Sequence, residues 1–153
     1  MIIRQANPND KAQITTLIAS VIEEFGLPSN TQFVVRDLDT VFSLQASHQS
    51  DCWVAEVNQS IVGSISILPS SSQDECMLKR FYVAQPYRRQ GLGSQLYAIA
   101  EEFARTVGYQ RIMLEVSRKS PTAVLFYQHR GYQWVQDIDN AWEDTLYIKH
   151  LHH

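Results

Sequence analysis

The segment from residue 77 to residue 107 constrains the fold of this chain more than any other. It contains an apolar stretch, Met77–Val83, then a loop with Gly91 and Gly93, and then a helical pattern that ends before Gly108. A strand that leads through a glycine-rich turn into a helix leaves the first helical N–H groups unpaired, at the positive end of the helix dipole. Glycine also lets the backbone approach a ligand closely. This order predicts an anion site that suits a phosphate or pyrophosphate.

The residues around the turn narrow the kind of phosphate site. Arg88 and Arg89 add two positive charges beside it. A Walker A loop requires a lysine after its glycines, and none follows Gly91 or Gly93. The dinucleotide-binding fingerprint requires a third glycine or an alanine, where this chain has Leu96. Both of these phosphate motifs are therefore excluded.

Hydrophobic periodicity predicts the remaining elements in the order β-α-α-β-β-β-α-β-α-β-β. The fifth strand should run parallel to the fourth, because a helix joins them. We expect an α/β fold with a mixed central sheet of about seven strands and helices on both faces. The predicted helices are Ile14–Phe25, Val34–Leu44, Leu92–Val107 and Ser120–Arg130. The predicted strands are Ile2–Ala6, Cys52–Val57, Ile61–Leu68, Met77–Val83, Tyr109–Val116, Gly131–Val135 and Thr145–Ile148.

Two strand patterns make local predictions. Leu78 and Phe81 are three residues apart, so a regular strand would send them to opposite faces, and a bulge between them would reset the alternation. Ser64 and Ser66 alternate with apolar residues, which is typical of a half-buried strand. In the first helix, Asn9 and Asp10 belong to a turn that can cap the N-terminus, and residues 26–30 should end it.

Composition limits the class of protein. The chain has 153 residues, of which 44% are hydrophobic, and a formal net charge of −3. We expect one domain, residues 1–153, with a single core, no affinity for nucleic acid and no membrane span. Without a signal peptide, and with only Cys52 and Cys76, a cytoplasmic protein is expected. We interpret His150, His152 and His153 as a solvated tail, and expect no metal.

Two motifs resemble those of a known family. Arg-x-x-Gly-x-Gly at residues 88–93 is similar to the pyrophosphate-binding motif of the GNAT superfamily of N-acetyltransferases. Residues 120–132 resemble a second GNAT element, in which Asn-x-x-Ala-x-x-x-Tyr precedes Gly-Phe; here Ser120 stands in place of the asparagine. The predicted order of elements is also that of the GNAT fold. The resemblance implies that acetyl-coenzyme A is the cosubstrate.

The resemblance also implies which residues form the site. A bulge in the fourth strand would separate it from the fifth, and the pantetheine arm would enter the gap and bond to backbone groups there. Tyr127 would lie beside the thioester sulfur as general acid. A thiol has a pKa near 8.5 and a phenol a pKa near 10, and a tyrosine hydroxyl within hydrogen-bond reach can stabilise or protonate the leaving sulfur. The implied cofactor-binding residues are Phe81, Tyr82, Val83, Arg88, Arg89, Gln90, Gly91, Leu92, Gly93, Ser94, Ser120, Ala123 and Tyr127.

The general base is less clear from the sequence. Many relatives carry a glutamate where this chain has Met77. Glu75 lies two residues earlier on the same strand face and is the first candidate. Glu115 on the fifth strand is the second candidate and Glu56 the third. A chain of water molecules is the alternative to all three.

The sequence therefore predicts an N-acetyltransferase that moves acetyl from acetyl-coenzyme A to a primary amine. Direct attack in a ternary complex is expected, since neither cysteine lies in a recognisable nucleophile setting. A non-catalytic acyl-coenzyme A sensor and a nucleotide-binding module are the alternatives. We expect the acceptor pocket to involve the two N-terminal helices, the Ser70–Asp74 loop and the segment near Trp142. A small molecule or a peptide could be the acceptor, and a homodimer is left open.

Overall fold

The computed structural model describes residues 1–27 and 31–152, and its elements follow the predicted order. His153 lies outside the described residues. The helices are α1 (Lys11–Glu24), α2 (Thr31–Leu44), α3 (Leu92–Val107) and α4 (Pro121–Gln128). The strands are β1 (Ile2–Gln5), β2 (Asp51–Val57), β3 (Ser60–Pro69), β4 (Glu75–Val83), β5 (Arg111–Ser117), β6 (Gln133–Asp137) and β7 (Asp144–His150).

One seven-stranded sheet joins all of these strands, in the order β1-β2-β3-β4-β5-β7-β6. Every neighbouring pair is antiparallel except β4 and β5, which are parallel as predicted because α3 connects them. The mixed sheet of seven strands with helices on both faces is confirmed. The predicted bulge lies in β4, one strand of this parallel pair. The predicted anion turn follows the C-terminal end of the same strand.

The sheet divides the expected single core into two apolar clusters. The larger cluster lies between one sheet face and α3 and α4, and includes Leu96, Ile112 and Tyr127. The smaller cluster lies between the other face and α1 and α2, and includes Ile18 and Leu38. Each helix contributes the apolar stripe that its sequence periodicity indicates.

The beginning and end of α1 differ from expectation in detail. Asn7 caps the turn before α1, accepting a hydrogen bond from the N–H of Asn9, while the Asp10 carboxylate accepts one from the N–H of Asn7 at 2.9 Å. The predicted helix ends at Phe25, but in the structure Phe25 follows the last helical residue and is 50% exposed. The predicted helix stop extends to residues 28–30, which lie outside the described residues.

Strand β3 corrects the prediction of a half-buried strand. Ser64 and Ser66 are both buried, because α1 covers the sheet face to which they point. Alternation of serine with isoleucine indicates a solvated face only when nothing packs on it. Within residues 1–27 and 31–152, no helix combines the length and the apolar character that a membrane span requires.

Candidate active site

The predicted bulge is present in β4. Along β3 the pairing advances two residues, from Ser64 to Ser66, while along β4 it advances three, from Tyr82 back to Lys79. The extra residue is accommodated at Arg80, which has a φ of 55°, in the left-handed region. Beyond this point the Phe81 side chain points to the sheet face that carries α3 and α4. The three-residue spacing between Leu78 and Phe81 therefore predicted the bulge correctly.

The two parallel strands separate on the N-terminal side of the bulge. β4 and β5 pair only at Glu75 with Arg111, Cys76 with Ile112 and Met77 with Met113. β4 then continues to Val83 without β5 as a neighbour, while β5 continues to Ser117 paired with β7. The gap between them exposes backbone groups of β4 that an extended ligand could pair with, as another strand would.

The glycine-rich turn stands at the end of β4 and begins α3. Gly91 is the N-cap residue, with a φ of 81°, and no side chain caps the helix. The first bond beyond the turn runs from the N–H of Gln95 to the carbonyl of Gly91 at 3.0 Å, so the preceding helical amides have no acceptor in the helix. Among the described residues, a Cβ atom on Gly91 would meet no atom within 4 Å. The space over this helix end is open, as an anion site requires.

The cations around the turn are arranged differently from the prediction. Arg88 is bound to Glu24 through both Nη atoms, at 2.5 and 2.8 Å, and its Nε donates to the Val83 carbonyl at 2.9 Å. The Glu24 carboxylate therefore compensates the positive charge of Arg88. Arg89 is exposed and, within the described part of the chain, has no ion-pair partner.

Arg130 is a cation of this site that the sequence reasoning missed. Its Nη2 donates to the Ser94 hydroxyl at 2.8 Å, in the first turn of α3. Its guanidinium carbon lies 3.4 Å from the centre of the Phe126 ring, so it stacks on that ring. The only signal in the sequence was its position, one residue before Gly131 in the second motif.

Tyr127 lies at the inner end of the gap. The ring is 8% exposed and contacts Phe81, Phe126 and Tyr132 edge-on, with centroid distances of 6.4, 5.4 and 5.5 Å. Burial raises the pKa of Tyr127 above that of an ordinary phenol, and nearby Tyr82 adds to the effect. The hydroxyl therefore carries its proton at neutral pH, as a proton donor must. Among the described residues it has no hydrogen-bond partner.

The other predicted cofactor residues fall into two groups. Val83 and Gly93 lie beside Phe81, and a Cβ atom on Gly93 would be 3.6 Å from the Phe81 ring. Leu92 and Tyr82 turn their side chains into the two apolar clusters, so only their backbone groups can face a ligand in the gap.

Three further residues belong to the turn and the second motif. The Gln90 side chain donates to the Pro86 carbonyl at 3.1 Å. Ser120 is the N-cap residue of α4, but its hydroxyl forms no capping bond. Ala123 packs, half-buried, against the larger cluster.

The structure does not bring Glu75 or Glu56 to Tyr127. Glu75 is paired with Arg111 Nε at 2.9 Å and lies six residues before Phe81, up to about 20 Å along the strand. Glu56 lies on β2, beside Arg4, with two strand spacings between it and β4. Glu75 was the first candidate base because it lies on the same strand face as Met77. Its ion pair with Arg111 could not be predicted from the sequence.

Glu115 is the candidate base that lies beside the gap. It lies two residues beyond the last β4–β5 pair, on the sheet face opposite to α3, and its side chain is exposed. Within the described ranges it forms no ion pair. Of the three candidates, it alone combines a free carboxylate with a place beside the gap.

The Ser70–Asp74 loop does not belong to the acceptor side of the site. Together with Val107, Gly108 and Tyr109 it lines a polar hollow at the C-terminal end of α3. The glycine-rich turn is at the other end of this helix of 16 residues, about 24 Å away. Trp142, by contrast, packs against the cluster of α1 and α2.

The two cysteines are both buried, and burial raises the pKa of Cys52 and of Cys76 to about 12. Neither thiol is therefore activated as a nucleophile. Across residues 1–27 and 31–152, no three histidine, cysteine or acidic side chains converge as metal ligands would.

Known proteins of similar sequence show which family this chain belongs to. A family model described as the acetyltransferase (GNAT) family matches residues 18–132. An uncharacterized N-acetyltransferase of Escherichia coli, YjgM, is 29% identical over 138 residues, which cover 88% of this chain and 83% of that protein. The probable N-acetyltransferase camello of Xenopus tropicalis is 33% identical over 113 residues, 72% of this chain. The chain spans only 51% of camello's length.

Solved structures share the whole fold. A GNAT-family acetyltransferase of Staphylococcus aureus superposes with a TM-score of 0.82 and 20% identity, with 99% of each chain covered. The PaiA N-acetyltransferase of Thermoplasma acidophilum, solved in complex with coenzyme A, has a TM-score of 0.78 and 20% identity, with 98% of each chain covered.

The family match and the named relatives identify an acetyltransferase that depends on acetyl-coenzyme A. The chain belongs to the GNAT family.

Proposed function

We propose that this protein transfers the acetyl group of acetyl-coenzyme A to a primary amine by direct attack in a ternary complex. The observation that carries the proposal is the gap between β4 and β5, which opens beyond Met77, runs past Phe81 and the Tyr127 ring that contacts it, and leads to the N-terminus of α3. A strand-like pantetheine arm fits the gap, and a pyrophosphate fits the helix end. The Thermoplasma protein of the same fold was solved in complex with coenzyme A, which supports coenzyme A as the ligand.

The reaction needs two proton transfers. The amine nitrogen attacks the thioester carbon, the carbon–sulfur bond breaks, and the amide forms. The departing sulfur is stabilised by a hydrogen bond from the Tyr127 hydroxyl and takes its proton as the carbon–sulfur bond breaks. The proton lost by the amine goes to Glu115, directly or through water, since this carboxylate is exposed and unpaired in the described chain.

Direct attack is preferred to a covalent acetyl-enzyme. An acyl carrier thiol must ionise, and at neutral pH a thiol with a pKa of about 12 is a thiolate in roughly one part in 10⁵. Both cysteines are also buried, away from the amide groups of the turn. The acceptor therefore approaches the thioester itself, from the sheet face of α1, α2 and Trp142.

The test is turnover with a panel of small amines, polyamines, amino acids and peptides, measured as free thiol released from acetyl-coenzyme A. At least one amine should give thiol release with matching acetyl-amide product. Binding of acetyl-coenzyme A without turnover on any amine would favour a sensor. Displacement of acetyl-coenzyme A by ATP or NAD would favour a nucleotide-binding module.

A further inference from the structure

A polar contact on the acceptor side of the sheet joins α2 to the β4 bulge. Asp37 of α2 accepts two hydrogen bonds on its Oδ2 atom from Arg80, one from Nε at 2.8 Å and one from Nη2 at 2.6 Å. The side chains of this ion pair are 18% and 17% exposed. Lys79 Nζ is 3.7 Å from the other carboxylate oxygen. The ion pair therefore contains two charge-assisted hydrogen bonds and is largely shielded from water.

Arg80 is also the residue that makes the bulge. Its φ of 55° is a conformation that costs energy for any residue with a Cβ atom, so the surrounding structure must hold it. The buried Ser64 hydroxyl donates to the Arg80 carbonyl at 2.7 Å. The backbone of Arg80 is therefore fixed by β3, and its side chain is fixed by α2.

The bulge sets the geometry on which the proposed reaction depends. It re-aims Phe81 toward α4 and Tyr127, with ring centroids 5.6 Å from Phe126 and 6.4 Å from Tyr127. It also lies in the part of β4 that has left β5. If Arg80 relaxed to an ordinary strand conformation, the following residues would exchange faces.

We propose that Asp37 is a positioning residue: through Arg80 it holds the β4 bulge, and so the β4–β5 gap, in the form that accepts the pantetheine arm and thioester. The proposal rests on the proposed function. Asp37 does not touch the reacting atoms, and its effect is on where the β4 backbone groups stand. A consequence is that α2, on the acceptor side, and the cofactor gap are mechanically linked through one ion pair.

The first experiment compares Asp37→Ala with Asp39→Ala. Asp39 lies on the same helix and pairs with Lys11 at 2.9 Å, so it is a matched ion pair that does not reach β4. The dissociation constants for acetyl-coenzyme A and for its nucleotide half, without the pantetheine arm, are measured by calorimetry. We expect Asp37→Ala to weaken acetyl-coenzyme A binding by at least about tenfold, equivalent to about 1.4 kcal/mol. Binding of the nucleotide half should stay unchanged, because it uses only the α3 end.

The second experiment separates the backbone conformation from the ion pair. Arg80→Gly and Arg80→Ala both remove the pair, but glycine adopts a positive φ without cost and alanine does not. The glycine variant should bind acetyl-coenzyme A more tightly than the alanine variant. In the Arg80→Gly background, Asp37→Ala should have no further effect, because Asp37 acts through Arg80.

Each result decides something specific. Equal acetyl-coenzyme A affinity in Asp37→Ala and Asp39→Ala, with normal binding by the unchanged protein, would overturn the assignment of Asp37 alone. Equal loss of both ligands in Asp37→Ala, or an alanine variant of Arg80 that binds as well as the glycine variant, would reduce the pair to a stabilising contact and overturn it as well. Failure of the unchanged protein to bind acetyl-coenzyme A would overturn the proposed function too.

Discussion

The ring of Tyr127 meets the ring of Phe81 edge-on, with centroids 6.4 Å apart, where β4 has just passed its bulge. This contact joins the two halves of the site, because Phe81 also lies beside the first turn of α3, where a Cβ atom on Gly93 would be 3.6 Å from its ring. The hydroxyl proposed as acid and the turn proposed for pyrophosphate are therefore parts of one packed unit.

Replacing Tyr127 with phenylalanine removes only the hydroxyl, so packing against Phe81 should survive. If the hydroxyl protonates the leaving sulfur, kcat should fall at least about tenfold, while the dissociation constant of acetyl-coenzyme A stays close to normal. The measurements are kcat with an accepted amine and cofactor binding, after the two Tm values are shown to match.

Tyr132→Phe is the control for that variant. Tyr132 contacts the Tyr127 ring, and its own hydroxyl bonds to that of Tyr97 at 3.0 Å, so it is a similar buried phenol outside the proposed reaction. It should keep kcat and lose only stability. Normal turnover in Tyr127→Phe would make Tyr127 a structural aromatic.

Gly91→Val should abolish most of the stabilisation that acetyl-coenzyme A gives. The ligand at about 100 times its dissociation constant should add about 2.7 kcal/mol to the free energy of unfolding of the unchanged protein, seen as a raised Tm. Valine would fill the open space over the α3 amides and resist the φ of 81°.

Gly108→Val controls for backbone strain. Gly108 ends the same helix with a φ of 100° and also has open space around its Cβ position. Both variants should be destabilised, but only Gly91→Val should lose the response to acetyl-coenzyme A. The same residual Tm shift in both would remove the turn from the binding site.

Arg130→Gln should weaken acetyl-coenzyme A binding about tenfold at low salt, and less at high salt. The reason is the loss of a cation held at Ser94, beside the helix end, where a charge-assisted bond to an anion is strong and screening is partial. Titrations at two ionic strengths measure the effect. Arg105→Gln at the opposite end of α3, where Arg105 donates to the His152 carbonyl, should leave affinity unaltered. Equal affinities for the two variants would contradict a role for Arg130.

Glu115→Gln should lower turnover at neutral pH and recover as the pH rises. At high pH more of the amine is already deprotonated, so the need for a proton acceptor diminishes. Glu75→Gln is the matched control on the neighbouring strand, and it should lose only its ion pair with Arg111. A pH–rate profile for each variant makes the comparison. Identical profiles would leave water as the acceptor, and a larger loss in Glu75→Gln would restore the first candidate from the sequence.

Asp10 should make the fold sensitive to acid. Hydrogen bonds from Arg4, at 2.8 Å to each carboxylate oxygen, hold the pKa of Asp10 below its ordinary value of 3.8, and burial opposes them only partly. A depressed pKa stabilises the fold above the unfolded value of 3.8, and this contribution is lost as the pH falls through the folded pKa.

Asp10→Asn should accordingly cost about 1 to 3 kcal/mol at pH 7, measured by urea unfolding, and much less in strong acid. Asp39→Asn, an exposed pair with Lys11, should change stability little at either pH. A cost for Asp10→Asn that did not shrink in acid would assign the effect to packing rather than charge.

The sequence by itself determined the order of elements, the turn at Gly91 and the bulge after Leu78. Each depends on residues close together in the chain: apolar spacing within one helix, glycine where φ is positive, and the parity of one strand. The element ends moved by a few residues, and burial of Ser64 was missed because it depends on a helix that packs there.

Only the tertiary structure decided which charges are free to act. Arg88 is neutralised by Glu24 and Glu75 by Arg111, whereas Arg130 reaches Ser94 and Asp37 reaches Arg80. These partners lie far apart in sequence, and charged side chains pair with whatever strand register and helix packing bring within a few ångströms. Local periodicity carries no information about those distances, so the choice between a paired and an available charge is made only when the sheet and its helices assemble.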